Sequence, residues 1–142
     1  MISVPLLPRR LRWAGVFILA AFIFYTSLVT VPETVVDDAQ PQVIELNHWR
    51  HLVAYFTFAC SLAYATDHWT LPRFRHAALV IAIAASYGIA MEAGQAFVPH
   101  RTDFLISDAV VNTIGASGVL LWYLVRPHLK LRHVTDYLGS SS

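Results

Sequence analysis

The sequence predicts an all-α, polytopic membrane protein: a bundle of four transmembrane helices with the N and C termini cytoplasmic. Three observations lead there. Of 142 residues, 56% are hydrophobic and 13% charged, with a mean hydropathy of +0.53, too apolar for an ordinary soluble domain of this size. The apolar residues fall into four runs near bilayer-spanning length, and the seven prolines (5, 8, 32, 41, 72, 99 and 127) all lie outside them. Lys and Arg gather in alternate connections, as the positive-inside bias requires. No long polar stretch remains to fold separately, so 1–142 reads as one membrane domain, with 126–142 a basic and polar cytoplasmic tail whose end is expected to be disordered.

Span one covers 13–31, uncharged and stopped by Pro32; its Arg9, Arg10 and Arg12 flank resembles the start of a signal peptide, but the run is long for one and lacks a small-x-small cleavage site. Span two, 49–66, is the weakest, because Arg50 and His51 stand at its start. Span three, 77–98, carries Glu92 as its only charge, and span four, 104–125, carries only Asp108. Arg9, Arg10, Arg12, Arg73, Arg75, Arg126, Lys130 and Arg132 occupy the N-terminus, the second connection and the C-terminus, which are therefore assigned to the cytoplasm. The first connection holds Glu33, Asp37, Asp38 and Glu45 without Lys or Arg, and the third is short; both are assigned to the outer side.

Several function classes are excluded by what is missing. Cys60 is the lone cysteine, so no disulfide framework exists, and a small buried hydrophobe is its expected role. No CxxC, Walker or GxGxxG pattern occurs, and nothing implies a cofactor. The few basic residues form no nucleic-acid footprint.

A carboxylate at membrane depth costs roughly 2.5–3.5 kcal/mol on insertion scales, which makes Glu92 and Asp108 pointers to a pairing or functional site. From helical rise, Glu92 lies about 9 Å below the outer end of span three, and Asp108 and Asn112 about 6 and 12 Å below that of span four, while His51 is near the outer end of span two. Asn47, His51 and Tyr55 are spaced i, i+4, i+8; Glu92 and Gln95 i, i+3; Asp108 and Asn112 i, i+4. Three polar faces at one depth are best buried against each other, giving an outward-open polar pocket of His51, Glu92, Gln95, Arg101, Asp108 and Asn112. Ala84, Gly88 and Gly94 on span three, and Gly115, Ala116, Ser117 and Gly118 on span four, allow close helix approach. The same groups also admit a structural reading, with Arg101 neutralising Asp108 or Asp103 and Glu92 bonded to Asn112 or His51. No metal centre is assigned: His48 and His51 at i, i+3, with His100, Glu92 and Asp108 as further candidates, lack a third ligand of known geometry. His68, His76, His128 and His133 are read as interfacial residues of the cytoplasmic side.

Asn47-x-x-x-His51-x-x-x-Tyr55, Glu92-x-x-Gln95, Pro99-x-Arg101 and Asp108-x-x-x-Asn112-x-x-Gly115-x-x-Gly118 occur in the order and spacing of a known pattern. From about Asn47 to Leu124 the chain resembles the VanZ-like membrane protein family. One departure is that the family commonly begins its first element with Asp-Lys, where this chain has Asn47 and His48. The resemblance implies a small multi-span protein of the cell envelope, in a family whose founding member is associated with resistance to the glycopeptide teicoplanin.

Three classes of function fit these residues. In the first, a non-enzymatic module holds an anionic envelope lipid or lipid-linked cell-wall component, with Arg101 meeting a phosphate or carboxylate and the acids and amides bonding hydroxyls or amines. In the second, an intramembrane enzyme uses His51 or Glu92 as general base; no Ser or Cys is recognisably placed as its nucleophile. In the third, the polar layer contacts another membrane protein. Membrane lipids are the expected surroundings, and the sequence specifies no oligomeric state.

Overall fold

The computed structural model describes residues 1–29, 46–98 and 106–139. The chain is mostly helical, and three helical segments are long and apolar enough to cross a membrane: Arg9–Val29, Arg73–Gln95 and Ile106–His128. In order, the elements are β1 (Ile2–Leu6), α1 (Arg9–Phe24) continued by a π turn (Tyr25–Val29), α2 (Leu46–Ala65), α3 (Arg73–Gln95), α4 (Ile106–Ser117), α5 (Leu120–Val125), a 3₁₀ turn (Arg126–His128), β2 (Leu129–His133) and α6 (Val134–Leu138). The acidic first connection and the short third one, Arg101 included, fall outside the described residues.

Helix ends differ from the uncharged runs for a simple reason. Pro8 and Pro72, at φ −52° and −54°, start α1 and α3 directly before Arg9 and Arg73, so each helix begins with a basic turn that hydropathy does not count. Gly118 and Val119 donate to the carbonyls of Gly115 and Ala116, three residues back, which tightens the junction of α4 and α5.

α2 is the centre of the bundle and packs on α1, α3 and α4. Its least exposed side chains, Tyr55, Phe58, Ala59, Leu62 and Ala63, join Val16 and Ile23 of α1, Val80 and Ala84 of α3, and Ala116 and Val119 near the α4–α5 junction in one core. The outward surface is the reverse of a soluble protein's: Phe17, Ile18, Phe22, Ile89, Ile114, Leu121 and Leu124 are exposed, while Glu92, Asp108 and Asn112 are buried.

One end of the bundle carries two features absent from the all-α expectation. β1 and β2 pair in parallel, Ile2 opposite Leu129 and Leu6 opposite His133, so the basic tail begins as a strand. The Tyr64 hydroxyl fastens β1 to α2 by donating to Pro5 O (3.0 Å) and accepting from Leu7 N–H (2.9 Å). His76, expected at the interface, is instead buried in α3. The Thr66 hydroxyl donates to Leu62 O (2.6 Å), so its oxygen accepts from His76 Nε2 at 2.7 Å, which places the ring proton there.

Arg12 is likewise more than a flanking charge. It is 5% exposed, and its Nη1 donates to Tyr64 O (2.8 Å) and Ala65 O (3.3 Å), the last carbonyls of α2, where helix ends leave acceptors unsatisfied and a partial negative charge. Arg12→Ala is expected to destabilise the fold by about 2 kcal/mol, from charge-assisted hydrogen bonds of about 1.5–3 kcal/mol at a helix C-terminus. Unfolding in detergent micelles followed by circular dichroism checks this; a loss below about 0.5 kcal/mol would show the cap to be dispensable.

Candidate functional site

The end of the bundle opposite the β pair is built from the first two turns of α2, the last turn of α3 and the first two turns of α4. Their polar residues meet where helical periodicity and depth place them. Asn112, fully buried, is the joint: its Nδ2 donates to Glu92 Oε1 (3.4 Å) and its Oδ1 lies 2.7 Å from His51 Nδ1. The carboxylate fixes the amide orientation, because turning it over would set two oxygens against each other. Asn112 Oδ1 is thus an acceptor, and His51 Nδ1 carries the proton that it receives. The neutral imidazole then keeps its lone pair on Nε2. His51 Nδ1 is also 3.8 Å from Glu92 Oε1, within ion-pair range when the ring is charged.

Asp108, one turn before Asn112, is buried, and its Oδ1 sits 3.2 Å from His48 Nε2 without hydrogen-bond alignment. Two carboxylates and two histidines from three helices therefore share a small space. One ligand atom each from His51, Glu92 and Asp108 can be chosen so that all lie within 4.8 Å of one another. The sequence reading assigned no metal centre; the structure assembles three groups of metal-ligating type.

Tyr55 and Gly88 complete the walls. The Tyr55 ring stacks near-parallel to that of His51, centroids 6.5 Å apart and planes 12° from parallel. A Cβ on Gly88 would stand 2.9 Å from Asn112 Cβ and 3.1 Å from Tyr55 Cε1, so the absence of a side chain there lets both residues lie against α3. A shallow apolar groove lined by Phe58, Ala82, Ile83, Ser86 and Tyr87 lies one to two turns deeper and offers this layer no polar opening.

Of the six site residues expected from sequence, the structure brings together His51, Glu92, Asp108 and Asn112. Gln95 is buried at the end of α3 and makes no side-chain hydrogen bond among the described residues. Arg101 lies outside the described residues. Tyr55 was legible as a member of a helical repeat and His48 as a metal-ligand candidate beside His51, and the contact of His48 with Asp108 depends on how α2 crosses α4. Among the described residues, no hydrogen bond joins His51 to a serine, threonine or cysteine. No protein-family model, curated protein or solved structure matches this chain.

Proposed function

We propose that this chain is a VanZ-like, four-span protein of the cytoplasmic membrane that binds the polar head of an anionic envelope lipid, or of a lipid-linked cell-wall component, in an outer-leaflet pocket. The observation that carries this reading is the hydrogen-bonded His51–Asn112–Glu92 chain with Asp108 beside it, a polar layer inside an apolar bundle. Intramembrane ionisable groups by default mark a ligand or ion site.

Two further features support the topology. Parallel pairing of β1 with β2 favours termini at one end, hence an even number of crossings with α2 as the fourth span. Arg9, Arg73, Arg75, Arg126, Lys130 and Arg132 belong to the chain segments at that same end, favouring its cytoplasmic assignment and an outward-facing polar layer. The family resemblance adds the envelope setting and, through its founding member, a connection to glycopeptide resistance. In this reading Arg101, in the third connection of the sequence, meets the ligand's phosphate or carboxylate, while the layer bonds its hydroxyls or amines.

Lipid binding to purified protein tests the proposal, with anionic phospholipids and polyprenyl-phosphate-linked sugars as probes and native mass spectrometry as the readout. Arg101→Ala and Asp108→Asn are each expected to weaken binding of the preferred lipid about tenfold, the equivalent of one charge-assisted contact. Equal affinity of wild type and both variants for every lipid tried would sink it.

A further inference from the structure

We propose that His51, Glu92 and Asp108 bind one divalent metal ion of the kind that accepts both nitrogen and oxygen ligands, with zinc as the best match. The proposal deepens the ligand-binding reading above and rests on it.

Geometry supplies the first argument. One donor atom from each of the three side chains falls within a 4.8 Å circle, and each comes from a different helix. Zinc bonds of about 2.0–2.2 Å set tetrahedral ligand atoms about 3.3–3.6 Å apart, so side-chain adjustments of about 1 Å close the site. An imidazole with two carboxylates suits zinc better than magnesium or calcium, which favour all-oxygen shells.

The surroundings supply the second. A metal-bound histidine characteristically donates its other ring N–H to a carbonyl or carboxylate, which holds the ring in place. His51 Nδ1 makes a bond of that kind to Asn112 Oδ1, which keeps the Nε2 lone pair free for a metal, and the ring is held beside Glu92, with Nδ1 3.8 Å from Oε1. The same amide grips Glu92 Oε1, so one fully buried residue orients two of the three ligands.

The third argument is independent of the cluster's composition. Tyr55 is 2% exposed and its hydroxyl has no hydrogen-bond partner among the described residues, although the ring stacks on His51. Asp108 Oδ1 is also buried, with His48 Nε2 3.2 Å away but not aligned for a hydrogen bond. Buried polar atoms left this way are uncommon in folded proteins and mark a place where a water or an ion completes the set. A dication with a bound water meets both needs: it satisfies the Asp108 oxygen directly and the Tyr55 hydroxyl through the water.

Charge ties the site to its ligand. Two carboxylates in a low-dielectric pocket repel each other and would repel an anionic headgroup. A dication is drawn to such a pair, and a position not held by protein would be open to a phosphate or carboxylate oxygen, the arrangement that distinguishes a ligand-accepting metal site from a closed structural one.

The test is metal content and thermal stability of untagged protein in detergent, stripped with EDTA and re-equilibrated with Zn²⁺. Wild type is expected to retain about one zinc per chain and to melt several degrees higher with Zn²⁺ than without, as ligand linkage requires. Glu92→Gln and Asp108→Asn, which keep side-chain shape, are expected to lose at least tenfold in affinity and most of the thermal shift, while His128→Ala, remote from the cluster, retains both. Equal zinc content in wild type and the two carboxylate variants, or an equal shift with Mg²⁺, overturns the proposal. Lipid binding that persists unchanged after EDTA treatment overturns the metal site and leaves the lipid-binding reading standing; zinc binding without binding of any lipid does the reverse.

Discussion

Asn112→Ala is expected to destabilise the protein by about 3 kcal/mol, well above a typical interhelical hydrogen bond in a membrane, which averages about 0.6 kcal/mol. The excess has identifiable sources. The substitution removes two bonds at once, to His51 and to Glu92, and leaves a buried acid and a buried ring donor without the amide that joined them. A buried group stripped of its partner costs about 1–3 kcal/mol beyond the bond itself. The lost amide also opens space beside Gly88, where an added Cβ would stand 2.9 Å from Asn112 Cβ. Asn112→Asp separates the terms: it keeps an acceptor for His51 but sets a carboxylate against Glu92, so its cost should shrink as pH falls and the acids are neutralised. Reversible unfolding in mixed micelles at two pH values reads both effects. An Asn112→Ala loss below about 1 kcal/mol would mean that the three-helix joint carries no more than an ordinary contact.

The parts of this joint that were readable from sequence are those governed by a single helix. Spacing of i, i+4 put Asp108 and Asn112 on one face, and rise per residue put Glu92 at their depth; the hydrogen bonds formed are consistent with both. The apolar runs around Glu92 and Asp108 likewise located α3 and α4. Contacts between elements were readable only where polar faces share a depth, as in the expected bond of Glu92 to Asn112 or His51, which the structure forms. His48 reaches Asp108 only because α2 crosses α4 closely, and Arg12 reaches the end of α2 only because α1 lies beside it. The pairing of β1 with β2 left a faint trace in the alternation Leu129, Lys130, Leu131, Arg132, which the positive charge of the tail obscured.

The crossing of α2 and α4 is itself the most vulnerable point of the site, and Gly115→Ala is expected to cost 3 kcal/mol or more, near about the upper limit for overpacking. The added Cβ would stand 2.7 Å from Leu52 O and 3.1 Å from Leu52 Cα, both backbone atoms of α2 with no rotamer to escape into. Relief requires the two helices to part, and they carry His48 and His51 on one side and Asp108 and Asn112 on the other. Ligand or metal binding should therefore fall with stability, although position 115 touches neither. Gly118→Ala is the informative comparison. Its Cβ would meet Phe56 Cδ2 at 2.6 Å, a closer approach on paper, but Phe56 is 39% exposed and its ring can swing toward lipid. A cost of about 1 kcal/mol is expected there, offset in part by alanine's higher helix propensity. Gly15→Ala, with open space around the new Cβ, should be neutral or stabilising. Thermal unfolding of the three variants, read together with zinc or lipid binding, ranks them. If the cost at 115 were no greater than that at 118, the backbones would be yielding as readily as a side chain, and close approach of α2 to α4 would not be what holds the polar layer together.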